Sequence, residues 1–317
     1  MRSRDDFDEY IETELVPLLA REREKMEELR AMQAAVCLPV AHKLAIVAGG
    51  FVLAILVGNG TLLLASLALP FLIDHYRKSK VEGPAVMNVR EGLIRRVVEF
   101  WGPEFEYHPW RGVDERELEA CRLIPESYDR LHSCDTVVGK YHATTFRFSE
   151  LRLFEKVKDQ ADRLLWSGIY LVADFNKSFE GRIFVLPDRT ERLLGSLFGR
   201  ALQSLPFRKA GKLIHLESPR FERHFKVYGE DDHEARYVLS PGLMKRIVDF
   251  KEEMDVEIRM AFIDDRVHVV MPVAADFFRA ASIDQVTPEL MRCWADEIHY
   301  VTSILDELNL NTRIWSK

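Results

Sequence analysis

The chain has 317 residues, of which 47% are hydrophobic and 30% are charged, and its formal net charge is -7. This composition is typical of a folded protein and excludes an intrinsically disordered chain. Because basic and acidic residues are interspersed, it also argues against a general nucleic-acid binder, which needs a basic face. The four cysteines form neither a CxxC pair nor a zinc-ligand spacing, so we expect reduced thiols, no metal and no cofactor.

Residues 1–35 predict an amphipathic N-terminal helix. Pro17 favours a bend or a division within it. Two roles are open for this helix: packing on the soluble domain, or a coiled-coil or partner-binding arm. The apolar residues that recur at helical spacing are Phe7, Ile11, Leu15, Leu18 and Leu19.

Residues 36–78 are predicted to form a membrane segment, because Leu44–Ile73 contains no charged residue. A spanning helix needs about 20 apolar residues, whereas a soluble core helix rarely exceeds about 14. The triplet at 58–60, Gly-Asn-Gly, is a turn signal and favours a hairpin with arms over 36–57 and 61–76. Basic residues flank both ends, so both ends should face the cytosol. A single crossing and a re-entrant insertion are the alternatives.

Residues 85–317 predict a cytosolic α+β domain with a mainly antiparallel sheet and flanking helices. The strand-rich blocks on either side of residue 205 leave a division into two subdomains open. Helical patterns occur at Val89–Phe100, 114–124, Thr190–Ser204, Gly242–Met254 and Thr287–Leu308. Strand patterns occur at Thr136–Lys140, Thr144–Phe148, Gly168–Phe175, Gly181–Leu186, Leu213–Leu216, His224–Tyr228, Ala235–Leu239, Val256–Phe262 and Val267–Val273.

Four long blocks carry a resemblance to a known family: HATTFRFSELRL at 142–153, IYLVADFNKSFEGRIFVLPD at 169–188, LESPRFERHFKVYGEDDHEARYVLSP at 216–241 and LNLNTRIW at 308–315. They resemble a bacterial family of membrane proteins known as domain of unknown function 3137. The resemblance covers most of 85–317 and extends to the preceding helix and hairpin. It implies a bacterial inner-membrane protein with a cytosolic α+β domain, and it implies no activity.

Recognisable catalytic motifs are missing, since neither GxSxG nor a glycine-rich phosphate loop occurs. The polar residues that best fit a recognition surface lie at strand ends, in the charged segment 215–224 and in the C-terminal tail: Glu150, Asn176, Arg220, Glu222, Arg223, Asn311 and Arg313. An ion-paired turn also explains the charges of 215–224, and a hairpin turn explains the acidic cluster at 230–234.

The sequence therefore predicts a membrane-anchored binding or scaffold protein without catalysis, whose ligand is unknown. The partners we expect are the lipid bilayer, a protein and further copies of this chain packed through the small residues of the hairpin. The alternative is a membrane-bound hydrolase or transferase that uses the histidines and carboxylates of 215–234. That alternative requires one pocket that gathers His215, Glu222 or His224 with Asp174 or Glu150.

Overall fold

The chain forms two compact units. The computed structural model describes residues 3–36, 40–58, 60–124, 127–158, 160–175, 177, 179–188, 211–273, 278 and 283–308. The helical unit comprises Ser3–Ile94 and Ala280–Met291, and the α+β unit comprises Arg95–Arg279 and Arg292–Lys317. Each unit is described by itself.

The N-terminal segment is helical, as the sequence predicts. Helix α1 (Arg4–Tyr10), a π-helical turn (Ile11–Leu15) and helix α2 (Val16–Val36) follow one another along the chain. A proline ring clashes with the carbonyl one turn earlier, and the wider π turn relieves that clash at Pro17. The proline therefore does not divide the helix. Four of the predicted apolar positions are buried: Phe7, Ile11, Leu15 and Leu19.

A helical hairpin follows the N-terminal helices. Helices α3 (Val40–Val57) and α4 (Gly60–Trp101) are separated by a turn in which Gly58 has a φ of 67°. Glycine adopts this left-handed conformation without steric cost. Gly50 and Ser66 lie at equal sequence distance from Gly58, and a Cβ atom on Gly50 would overlap the Ser66 side chain. The two helices therefore double back and approach each other closely, as the predicted turn requires.

Helix α4 is longer than the sequence predicts. An arm ending near Tyr76 and a separate helix from Val89 are expected, but α4 is continuous through both. The prediction of a break is wrong, because Arg, Lys, Glu, Ala and Met on either side of Gly83-Pro84 favour the helix and proline removes a single backbone donor. Within the described ranges, the model contains no helix that is both long and apolar enough to cross a membrane.

The α+β unit is built on one sheet, whose described strands pair in the order β1-β2-β3-β4-β9-β8-β5-β7-β6, with antiparallel neighbours throughout. The α+β fold class is therefore confirmed. Strands from both sides of residue 205 join this sheet, and the division into subdomains stays a prediction. The strands are β1 (Glu106–His108), β2 (Arg130–Tyr141), β3 (Thr144–Glu155), β4 (Arg163–Asp174), β5 (Ile183–Pro187), β6 (Lys212–Ile214), β7 (Phe225–Gly229), β8 (Arg259–Ile263) and β9 (Arg266–Pro272).

The helices of the remaining chain are short except for the last two. Ser240 caps α8 by accepting a hydrogen bond from the Leu243 N–H at 3.4 Å, as the Ser-Pro pair predicts. The helix predicted over Thr190–Ser204 lies outside the described residues. The described helices are α5 (Glu115–Cys121), α6 (Pro219–Glu222), α7 (Asp232–Val238), α8 (Pro241–Met254) and α9 (Pro288–Glu307).

One predicted strand is a helix. Ala235–Leu239 is expected to be extended, but α7 includes residues 235–238 and Leu239 is its C-cap. Asp231 caps α7 by accepting hydrogen bonds from the backbone N–H groups of His233 and Glu234 at 2.6 and 3.3 Å. The acidic cluster at 230–234 therefore begins a helix, and the prediction of a hairpin turn there is wrong. The cap decides the outcome, because the spacing of the apolar residues in this short segment fits either period.

The two faces of the sheet are covered differently. We call one the helix face, because Tyr300 of α9 donates a hydrogen bond to the Met271 sulfur of β9 at 3.8 Å. We call the other the pocket face. There Leu118 and Cys121 of α5 belong to a buried cluster with Leu151 and Val172 of the sheet. Since α5 is only two turns long, it leaves part of the pocket face uncovered.

Candidate functional site

A pocket of about 450 Å³ opens on the pocket face beside α5. This volume is within the range of small-molecule sites. The pocket combines cationic groups, carboxylates and an apolar floor on β1–β4 and the start of β9. Its lining consists of Glu104, Glu106, Arg111, Val138, Gly139, Lys140, Thr145, Phe146, Arg147, Val172, Ala173, Asp174 and Arg266.

Sheet register places Arg147 at the centre of the pocket. Arg147 pairs with Val138 on one side and Val172 on the other, and Val172 in turn pairs with His268. These four side chains therefore share the pocket face. An arginine between two valines in the interior of a sheet is energetically unfavourable unless it is paired or binds a ligand, because burial destabilises its charged form.

The Arg147 guanidinium pairs with the Glu117 carboxylate of α5. Both side chains are largely buried, at 29% and 21% exposure. Burial lowers the pKa of Arg147, and the neighbouring Arg111 and Arg266 lower it further by repulsion. The Arg147 guanidinium thus lies near two other guanidiniums, and the carboxylates of Glu117 and Asp114 offset that repulsion.

Arg266 is held more loosely. Its guanidinium lies 4.0 Å from Glu117 and 4.0 Å from Asp174, which is too far for hydrogen bonds. Arg111 is positioned through its backbone, since the Thr136 hydroxyl of β2 donates to its carbonyl. Thr136 is itself 2.7 Å from the Ser149 hydroxyl of β3. These hydrogen bonds therefore fix the position of the Arg111 backbone relative to the sheet.

A buried polar pair lies beneath the arginines. The Tyr170 hydroxyl is 2.8 Å from His268 Nδ1, and both side chains are at most 5% exposed. Burial, reinforced by the charges of Arg147 and Arg266, lowers the pKa of His268 to about 4. The imidazole is thus neutral at physiological pH, and burial also raises the pKa of Tyr170. This pair supports the pocket floor; it is not placed as an accessible acid or base.

Arg220 and Glu222, two of the predicted recognition residues, are held in ion pairs and hydrogen bonds. Arg220 of α6 lies 2.7 Å from Asp249 and also pairs with Glu252, both on α8. The Glu222 carboxylate accepts a hydrogen bond from the Leu216 N–H at 2.8 Å. These contacts fit the ion-paired turn, which is one of the two interpretations of segment 215–224 that the sequence allows.

The remaining predicted residues do not meet at one place. Arg223 is exposed near α6. Glu150 is 4% exposed and pairs with Arg152 on the helix face of β3, away from the pocket face. Asn176, Asn311 and Arg313 lie outside the described residues.

The residues of the alternative, catalytic hypothesis are also scattered. His215 is 76% exposed and lies 3.4 Å from Glu222. His224 Nε2 lies 3.0 Å from Glu252 at the surface. Asp174 is in the pocket, which neither histidine lines. The structure does not bring these groups together in one cavity.

Cys134, Asp135 and Glu150 form the described group best suited to hold a metal ion, with ligand atoms within 4.8 Å of one another. However, Asp135 accepts a hydrogen bond from the Tyr107 hydroxyl, and Glu150 pairs with Arg152. Burial raises the pKa of the Cys134 thiol to about 12, and the two carboxylates add to this effect. A metal would have to displace the thiol proton, and Asp135 and Glu150 already have partners within the protein. The group therefore fits a hydrogen-bonded support for the irregular part of β2 better than a metal site.

Sequence reasoning missed the cationic residues of the pocket: Arg111, Lys140, Arg147 and Arg266. One local signal was available, because Arg147 stands between Phe146 and Phe148 in a strand. A charged residue in an alternating strand whose neighbours are aromatic is a candidate for a half-buried site. No local signal joins Arg111 to Arg266, since 155 positions separate them and only the sheet order brings them to one pocket.

The family resemblance is confirmed over part of the chain. Residues 165–310 match the model of the family described as protein of unknown function (DUF3137). No curated protein matches the chain. Among solved structures, the chain is similar to the crystal structure of the mycobacterial trehalose monomycolate transport factor A, TtfA, at 11% identity and a TM-score of 0.34, over 72% of this chain and 98% of that one. A similarity this weak supports no inference about function.

Proposed function

We propose that this protein is a membrane-tethered binding protein of the bacterial inner membrane. The hairpin of α3 and the start of α4 inserts into the bilayer, and the α+β unit binds its ligand in the cytosol without catalysis. A protein partner and self-association stay predictions.

The main evidence for insertion of the hairpin into the bilayer is the exposure of its large apolar side chains. Leu56 is 77% exposed, Leu64 is 69% exposed and Ile55 is 65% exposed. Soluble monomers rarely expose contiguous apolar patches of more than a few hundred Å². Further apolar side chains exposed on the same two helices are Leu44, Phe51, Val52, Leu53, Val57, Leu67, Leu69 and Leu72.

Charge placement supports a bilayer as the partner of this surface. Lys43 precedes the uncharged run, and Asp74 follows it, with Arg77 and Lys78 three and four residues further along. Because the hairpin doubles back at Gly58, both borders belong to the same end of the hairpin. Basic residues at that end fit the anionic cytosolic surface of a membrane.

The pocket supports binding as the role of the α+β unit. It joins polar groups from several strands to an apolar floor, which is the composition of ligand sites. His268, which pairs with the lining residue Val172, is buried, and its Nδ1 lies 2.8 Å from the Tyr170 hydroxyl. The pocket therefore offers contacts for recognition, and no histidine is among its described lining residues.

Flotation with vesicles tests the tether. Full-length protein is mixed with vesicles of phosphatidylethanolamine and phosphatidylglycerol and centrifuged through a density gradient. We expect the wild type to float with the lipid. The double variant Ile55→Asp, Leu56→Asp should stay below it, because each carboxylate must leave water to enter the bilayer, at a cost of up to about 2.5–3.5 kcal/mol at the bilayer centre.

Leu164→Asp is the matched control for flotation, since Leu164 is 51% exposed on β4 and lies in the α+β unit. It should float as the wild type does. A wild type that remains with the soluble fraction, or an equal loss of flotation in the control, would overturn the proposal.

A further inference from the structure

We infer that the pocket binds a small organic anion, whose carboxylate or phosphate group lies between Arg147, Arg266 and Arg111 and whose apolar body lies on Val138 and Val172. This inference rests on the proposed binding function and names its class of ligand.

Apart from Arg147, which pairs with Glu117, the cationic groups of the pocket have no short ion pair within the described residues. Arg266 has carboxylates only at 4.0 Å, and a direct charge-assisted hydrogen bond is about 2.7–2.9 Å long. In the described part of the chain, no carboxylate lies within 4.0 Å of Arg111 or Lys140. An anion between them would supply the short bonds that the protein does not.

Arg220 shows how this chain holds an arginine through two short ion pairs. Its guanidinium is fixed by Asp249 and Glu252, each on the adjacent helix. Arg266 has a comparable exposure, 53% against 41%, but its two carboxylates stand at the limit of an ion pair. This difference between Arg220 and Arg266 indicates that the N–H donors of Arg266 are available for a ligand.

Repulsion among the arginines makes an anion favourable. The pKa of Arg147 is lowered first by burial and then by Arg111 and Arg266, so the three guanidiniums already act on one another. A bound carboxylate or phosphate would reduce that repulsion, and its paired oxygens fit the planar guanidinium.

The walls limit the ligand to a small anion with an apolar part. Val138 and Val172 line the cavity with apolar side chains, and about 450 Å³ holds a body of roughly drug size. Glu104, Glu106 and Asp174 also line it and would repel an extended polyanion.

Calorimetric titration of the full-length protein in mild detergent tests the inference. The probes are phenyl phosphate, benzoate and neutral benzyl alcohol, which share an aromatic body and differ in the head group. We expect at least one anion to bind and benzyl alcohol to bind at least tenfold more weakly. The stronger of the two anions identifies the head group.

Variants locate the site. Arg266→Gln should weaken anion binding about tenfold and leave folding intact, because Arg266 makes no short contact in the described chain; a loss of one charged hydrogen bond is of this order. Arg163→Gln is the control, since Arg163 is 65% exposed and pairs with Glu155. Its affinity should equal that of the wild type.

Three results would overturn the inference: no anion binds to the folded wild type, benzyl alcohol binds as well as the anions, or both variants lose affinity equally. The flotation experiment separates these failures from a failure of the proposed function. A protein that floats with vesicles but binds no anion keeps the tether and loses the ligand class.

Discussion

Glu117 on α5 pairs with Arg147 on β3, and this contact joins the short helix to the centre of the sheet beside the pocket. Both side chains are largely buried, so each would leave the other uncompensated if it were removed. The pair therefore has a structural role, while Arg266 and Arg111 beside it keep donors for a ligand.

Replacement of Glu117 by Gln should destabilise the α+β unit by about 1–3 kcal/mol, because a half-buried guanidinium loses its carboxylate. Urea unfolding followed by tryptophan fluorescence measures the change. Glu155→Gln, which removes the exposed partner of Arg163, should change stability by less than about 1 kcal/mol. If the two variants lost equal stability, burial of the Glu117–Arg147 pair would add nothing to the free energy of unfolding.

The pH dependence of stability should report His268. Its folded-state pKa is about 4 against an ordinary value of 6.5, so the unfolded chain binds the proton more readily in this interval. Stability should therefore be complete above pH 6.5 and should fall by about 3 kcal/mol as pH drops toward 4. The groups that face this imidazole are Tyr170, Arg147 and Arg266.

Urea midpoints at pH 5 and pH 7.5 measure the effect of His268. His268→Gln should remove most of the difference between them, while His215→Gln, at a position 76% exposed, should preserve it. A His268→Gln variant with the full wild-type difference would assign the pH dependence to other groups.

Thiol reactivity should distinguish the described cysteines. Burial raises the pKa of Cys121 to about 11 and that of Cys134 to about 12, so their thiolate populations at pH 8 are small. Cys293 is exposed. In a Cys37→Ser background, we expect iodoacetamide to modify one thiol rapidly and the other two only after unfolding.

Peptide mass mapping identifies the modified cysteine. The rapid site should be Cys293, and Cys293→Ser should abolish the rapid phase. Fast modification of Cys121 in the folded protein would contradict its burial at 0% exposure.

Adjacent glycines in α3 should respond oppositely to alanine. A Cβ atom on Gly50 overlaps Ser66, whereas a Cβ atom on Gly49 meets nothing within 4 Å. Gly50→Ala should therefore lower the stability of the hairpin by about 1–3 kcal/mol. Gly49→Ala should raise it by up to about 1 kcal/mol, because alanine favours a helix more than glycine does. Thermal unfolding in detergent, followed by circular dichroism, compares the two; a loss of equal size in both would exclude a close helix contact at Gly50.

Elements with a local chemical signal were predictable from the sequence. Ser240-Pro241 begins a capped helix, and Asp264-Asp265 forms the turn of the β8–β9 hairpin with φ values of 50° and 59°. Ala235–Leu239 was not predictable by periodicity, because a short apolar segment fits a strand or a helix and the cap at Asp231 decides between them.

The pocket could not be predicted because its residues are joined by topology alone. Arg147 and Arg266 meet since β4 lies between β3 and β9 in the sheet, an order that sequence patterns do not reveal. Arg220, in contrast, stands in a dense cluster of charged residues that the sequence shows directly, and it pairs with Asp249 and Glu252.

Fractionation of cells that produce the full-length chain tests the tether most directly. Lysate is prepared without detergent, centrifuged at high speed, and the pellet is washed with alkaline carbonate. The account predicts that the protein remains in the membrane pellet through the wash and is released by detergent. Protein found in the supernatant before any detergent is added would contradict it.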